Sequence, residues 1–279
     1  MTRLRKVNPP KTKGATKGKA RLGQHGVTLL RTIAVIVIAA CVAGLASYVS
    51  FGLHLGSAGG PKTAVIIDQL SLTQPNPAFV ETATSTLELA GYSVDYYPGE
   101  EVTVEFYRNL PSHGYNLIVL RVHSGMARED GEPTGYVSLF TGEPFSERFH
   151  DAESFQDAEA GRLGRASYYD GSPQYFGIVP EFIESSMRGG FQDATVIMLG
   201  CDGLVTDATA EAFVRKGAEV VVGWNGRVSA RHTDEAAEHL LRHLLTDRLS
   251  IGEAVTRTMA EVGPDPALGS TLVVYPAQR

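Results

Sequence analysis

The chain has 279 residues and a formal net charge of −6, and that charge is unevenly divided. Residues 1–31 hold nine Lys/Arg and no Asp or Glu, which leaves 16 basic against 31 acidic side chains in residues 32–279. A short basic tail on an acidic body reads as a solvated segment that sets topology, not as an arm for nucleic acid, so no nucleic-acid partner is expected. Two cysteines, Cys41 and Cys201, lie in separate segments and exclude a disulfide framework.

In chain order, the first feature is "TIAVIVIAACVAGLASYVSF", Thr32 to Phe51, which carries no charged residue. It is long enough to cross a bilayer core of ~30 Å as a helix. The Lys/Arg on its N-terminal side place that side in the cytoplasm. The expectation is a single transmembrane helix over residues 32–53, with the following domain outside the cytoplasmic membrane. A cleaved secretory signal is the nearest rival, but its apolar core would run only about 7–15 residues. "IAAC", residues 38–41, resembles a lipobox, yet the apolar run continues past Cys41. Residues 54–62 form a Gly-rich linker, and residues 63–279 have the length of a single domain.

That domain alternates strands and helices. "KTAVIID" (62–68) is a continuous apolar strand. A helix over 76–91 follows, with Asn76 as N-cap, Pro77 in the first turn and Gly91 past its end. Strands over 92–98 and 116–122 flank a short helix at 102–110. Next come a strand at 194–200, a helix at 206–217, a strand at 218–224 and helices at 233–246 and 250–262. The last helix opens with a Ser250-x-x-Glu253 capping box. A strand at 270–276 closes the chain. Unbroken apolar strands alternating with helices indicate an α/β three-layer sandwich around a mainly parallel six-stranded sheet. Residues 124–180 break the rhythm and read as an insertion of irregular structure or a small β-hairpin, rich in turns and aromatics.

In such sheets, functional residues gather at the carboxyl ends of the strands. "RVHSG" puts His123 just past one apolar strand, and "LGCDG" puts Cys201 at the equivalent point of another. If those strands are neighbours, their ends stand about 5 Å apart. A thiol beside an imidazole suits nucleophilic attack on a carbonyl. The glycines around Cys201 leave room for a substrate backbone and free main-chain N–H groups for an oxyanion.

The joint order is a His strand, a Cys strand, then "GAEVVVGW" ending in Trp224, a Thr-Asp turn and paired helices. This order resembles the caspase-like cysteine peptidases, closest in pattern to CHAT, separase and gingipain-type domains. The resemblance runs over roughly residues 63–276 and is densest over 194–258. It implies Cys201 as nucleophile, His123 as acid/base partner, the N–H groups of Gly125 and Cys201 as oxyanion donors, and Trp224 beside the substrate pocket. Two departures stand out. Ser124, not glycine, follows His123, and 78 positions separate His123 from Cys201. Trp224 can equally be core filling. Asp68 and Asp202 are either an acidic specificity pocket or ordinary turn acids.

Other chemistry finds little support. No G-x-G-x-x-G or G-x-x-x-x-G-K loop follows a strand, and no α/β-hydrolase elbow or zinc-peptidase signature is present. His113, His150 and His232 show no metal spacing. His239 and His243 stand i, i+4 on a helix with no evident third ligand and read as a solvated face. Neither cofactor nor metal is expected. The sequence therefore points to a membrane-anchored cysteine endopeptidase acting on a polypeptide substrate. The alternative is an inactive caspase-like domain serving as a membrane-tethered binding or scaffold module.

Overall fold

The structure, a computed structural model, describes residues 62–277 except 130, 150 and 170. The basic tail, the expected membrane helix over 32–53 and nearly all of the linker lie outside those residues. Among the described residues, no helix is long and apolar enough to cross a membrane.

The elements run β1 (Thr63–Asp68), α1 (Pro77–Leu89), β2 (Ser93–Pro98), α2 (Val104–Asn109) and β3 (Leu117–Arg121). Then come β4 (Ser124–Glu129), β5 (Glu132–Pro144), α3 (Ala152–Glu159), β6 (Leu163–Ser167), β7 (Gln174–Ile178) and α4 (Pro180–Ser185). The chain finishes with β8 (Ala194–Met198), α5 (Ala208–Arg215), β9 (Ala218–Trp224), α6 (Ala230–Leu245), α7 (Ile251–Val262) and β10 (Leu272–Tyr275).

Six strands form one sheet in the order β10-β9-β8-β3-β1-β2. All neighbours are parallel except β10, which runs antiparallel to β9. This is the mainly parallel α/β sheet that the apolar runs indicate. The period of two along each strand divides the core between its faces. Ala64, Ile66, Leu117, Val119, Ile197 and Val222 face Phe79, Ala83 and Leu87 of α1, Leu240 and Leu241 of α6, and Val255 of α7. Val65, Ile67, Ile118, Leu120, Val196 and Val221 face Tyr107 of α2, Phe182 of α4 and Phe213 of α5. Burial on both faces is why these strands read as continuous apolar stretches.

Helix starts follow local capping where the side chains are free to cap. The Asn76 side chain accepts from the Phe79 N–H at 3.2 Å, with Pro77 opening α1. Ser250 and Glu253 form the expected capping box on α7. The sequence expectation that α6 starts at Thr233 is corrected to Ala230. Thr233 and Asp234 look like caps but spend their side chains on distant partners. The Thr233 hydroxyl donates to the Leu199 carbonyl, and the Asp234 carboxylate binds Arg121.

The insertion is also corrected. Residues 124–178 contain a second, antiparallel sheet in the order β4-β5-β7-β6, with α3 between β5 and β6. Ser124 opens β4 only three residues after Arg121 closes β3, so His123 sits at the junction of the two sheets. Leu139, Leu163, Phe176 and Ile178 pack into the core shared with the main sheet. These strands are irregularly patterned and pair with register shifts, which hid them from periodicity.

Candidate active site

Strands β3 and β8 are hydrogen-bonded neighbours, and their last paired rung is Leu120 with Met198. His123 and Cys201 each lie three residues beyond that rung. Both line one cavity of about 440 Å³, together with Leu70, Gln74, Val228 and Arg231.

Close packing forces the local geometry. A Cβ at Gly200 would collide with the Ser124 hydroxyl and the Val122 carbonyl oxygen. Only glycine lets the two strand ends come this near. Ser124 Oγ then donates to the Cys201 carbonyl at 2.6 Å, joining the residue after the histidine to the cysteine itself. Asp202 follows with φ of 61°, a left-handed conformation that asparagine and aspartate tolerate best. Its N–H donates to the Gly226 carbonyl, and the Leu204 N–H to the Trp224 carbonyl. The Cys201 N–H has no such acceptor among the described residues.

His123 is held from three sides. Its backbone N–H donates to Gln69 Oε1 at 2.9 Å, and its Nε2 stands 2.8 Å from Thr73 Oγ1. The Tyr168 ring lies 4.4 Å from the imidazole centroid and Phe140 5.9 Å away. Gln69 also donates to the Tyr168 hydroxyl at 3.0 Å, which fixes the tyrosine over the histidine. The Cys201 thiol donates to the Val228 carbonyl at 3.5 Å.

Both side chains are biased toward their neutral forms. Burial pushes the Cys201 thiol up. Burial, with the Arg121 charge added, pushes His123 down to about 4. A desolvated site disfavours whichever form is charged, so the resting pair is thiol and neutral imidazole rather than an ion pair.

Beneath the cavity lies a buried charge network. Arg121, on β3, is fully buried. It donates from Nε and Nη2 to the two oxygens of Asp234 at 2.7 and 2.8 Å, and from Nη1 to Asp68 at 2.6 Å. Its Nη2 also reaches the Gln74 carbonyl at 2.8 Å.

The expected site residues therefore separate. Cys201 and His123 share the cavity. Gly125 pairs with Ser138 inside the second sheet and is not part of the cavity wall. Trp224 belongs to the core: it is fully buried, and its Nε1 donates to Thr233 Oγ1 at 2.8 Å. Asp68 is committed to Arg121 and to the Tyr96 hydroxyl, so it offers no free charge to a substrate. Asp202 turns toward the Met126 backbone on β4. Among the described residues, no carboxylate lines the cavity, and the one charged lining side chain is Arg231. Among the described residues, Asp68 and Asp202 do not form an acidic pocket at this cavity.

Sequence reasoning missed Gln69, Thr73, Tyr168, Arg121 and Asp234. Arg121 had a signal, being the one charge inside the apolar strand "NLIVLRV". The others are ordinary polar residues until the fold brings them together. No protein-family model matches the chain, and no curated protein matches it.

Proposed function

We propose that this chain is a membrane-anchored cysteine endopeptidase of caspase-like fold, with Cys201 as nucleophile and His123 as its base. One observation carries the reading: the two side chains stand at matched positions past the same rung of neighbouring parallel strands and open into one cavity. A thiol and an imidazole so placed suit acyl transfer.

In this mechanism the peptide carbonyl enters the cavity and the neutral imidazole accepts the thiol proton. The sulfur attacks the carbonyl carbon, and the resulting oxyanion takes the free Cys201 N–H. The imidazolium returns its proton to the leaving amine, and the C–N bond breaks to leave a thioester. Water, deprotonated by the imidazole, then releases the acid and restores the thiol. Tyr168 and Phe140 exclude water from one side of the ring, while Thr73 and Gln69 fix its orientation. Arg231 at the rim favours neutral or acidic side chains in the cavity. Residues 32–53 anchor the domain to the membrane, with residues 1–31 in the cytoplasm.

Turnover of a mixed peptide library by wild type and by Cys201→Ala tests the proposal. Cleavage by wild type alone supports it. Equal turnover, or none in either, sends the reading to the alternative of a tethered binding module. That alternative has one observation in its favour, since thiol and imidazole are each bonded elsewhere, to Val228 and Thr73.

A further inference from the structure

The pair His239 and His243 gains in the fold the third partner that the sequence did not reveal. Helix α7 packs on α6 and brings Glu261 to them. Glu261 Oε2 lies 2.9 Å from His239 Nδ1 and 3.2 Å from His243 Nε2, and the three atoms all stand within 4.8 Å of one another. Donors held at 2.0–2.2 Å by a tetrahedral ion stand about 3.4 Å apart, so the spacing suits such an ion. His243 is buried, not on a solvated face.

The surroundings orient the donors. Asp247 Oδ2 lies 2.7 Å from His243 Nδ1. A carboxylate that accepts a hydrogen bond from Nδ1–H leaves the Nε2 lone pair directed at the cluster, the arrangement that supports metal-bound histidines. Arg257 Nε holds Oε1 of Glu261 at 3.0 Å, leaving Oε2 turned inward. At the focus of the three donors sits a single cationic group, Arg242 Nη2. It is 2.6 Å from Glu261 Oε2, 3.1 Å from His239 Nδ1 and 3.4 Å from His243 Nε2. The Arg242 side chain is 46% exposed and can swing outward.

We propose that His239, His243 and Glu261 form a site for a divalent transition metal of the zinc class, which clasps α6 to α7 and displaces Arg242 from the focus. Two imidazoles and a carboxylate are a donor set that such ions favour. The site's two histidines lie on the same helix as the cavity residue Thr233, about 9 and 15 Å further along its axis. It is independent of the proposed peptidase activity.

Zn²⁺ titration of the full-length protein, followed by calorimetry and melting temperature, with Co²⁺ as the visible-absorption probe, tests this. Wild type is expected to take up one ion more than the His239→Ala/Glu261→Gln variant and to melt higher with metal, which the variant does not. The Cys201 and His123 pair is present in both, so any ion it takes cancels in the comparison. Two exposed positions decide the matter even if loss of Glu261 impairs folding. Arg242→Ala is expected to tighten binding about tenfold by removing a competing cation. Asp247→Asn is expected to weaken it about 10–100-fold. Equal metal uptake by wild type and the double variant would overturn the site. So would unchanged or weaker binding by Arg242→Ala, which would leave a salt-bridge clasp between the helices.

Discussion

Arg121 holds Asp234 through two parallel hydrogen bonds, Nε to Oδ1 at 2.7 Å and Nη2 to Oδ2 at 2.8 Å, with all of these atoms buried. This fork joins β3, which carries His123 just past its end, to α6, whose first turn forms part of the cavity wall. Asp68, on β1, takes the remaining Nη1 donor as a second carboxylate partner. One guanidinium thus ties three elements together under the candidate site.

Removing Asp234 strips Nε and Nη2 of Arg121 of their carboxylate partner, while Asp68 still balances the buried charge. Asp234→Ala is expected to lower unfolding free energy by about 1–3 kcal/mol, the cost of buried donors left without their partner. Urea denaturation measures this. A loss below about 1 kcal/mol would mean that the pair is solvated in solution. Arg121→Lys is expected to be destabilising as well, because an ammonium cannot reproduce the fork.

Gly200 sets how closely the two strand ends approach. Gly200→Ala places a methyl group against the Ser124 hydroxyl and the Val122 carbonyl. The expected cost is about 1–3 kcal/mol, the usual range for overpacking. Activity should fall further than stability, since the shift separates Cys201 from His123. Parallel measurement of melting temperature and turnover distinguishes the two effects.

His123 should titrate near pH 4 instead of near 6.5, owing to burial first and the Arg121 charge second. NMR of the imidazole follows this directly. The sign for stability runs from the folded pKa being lower than the unfolded one. Below pH 6.5 the unfolded chain takes the proton first, so stability is complete above 6.5 and declines as pH falls toward 4. The acid limb of turnover should also fall near 4, because the base must be neutral. Replacing Arg121 with Met should move the NMR midpoint upward.

Much of the fold was legible because strands buried on both faces leave unbroken apolar runs, such as "TAVII" and "LIVL". The two candidate site residues, His123 and Cys201, were legible because each follows such a run. Their partners were not. Gln69, Thr73 and Tyr168 reach His123 from 54, 50 and 45 positions away, and no local pattern marks them. The start of α6 was misread because Thr233 and Asp234 carry cap-like side chains that serve tertiary contacts. For Trp224 the resemblance implied a pocket and its apolar ring equally fitted the core; its indole N–H finds Thr233 and the ring stays in the core. Residues 124–180 read as irregular structure or a small β-hairpin because β4 and β5, and β5 and β7, pair with register shifts that break a regular period.

The central claim is that Cys201 and His123 act as a nucleophile and its base, and covalent trapping tests it most directly. A peptidyl electrophile is incubated with wild type and with His123→Ala, and the adduct is located by mass spectrometry. Only Cys41 and Cys201 offer thiols, so the modified peptide identifies the site unambiguously. The expected result is stoichiometric modification of Cys201 that slows by about 10²–10⁴-fold in His123→Ala. Equal rates in the two proteins, or no adduct at Cys201, would contradict the assignment.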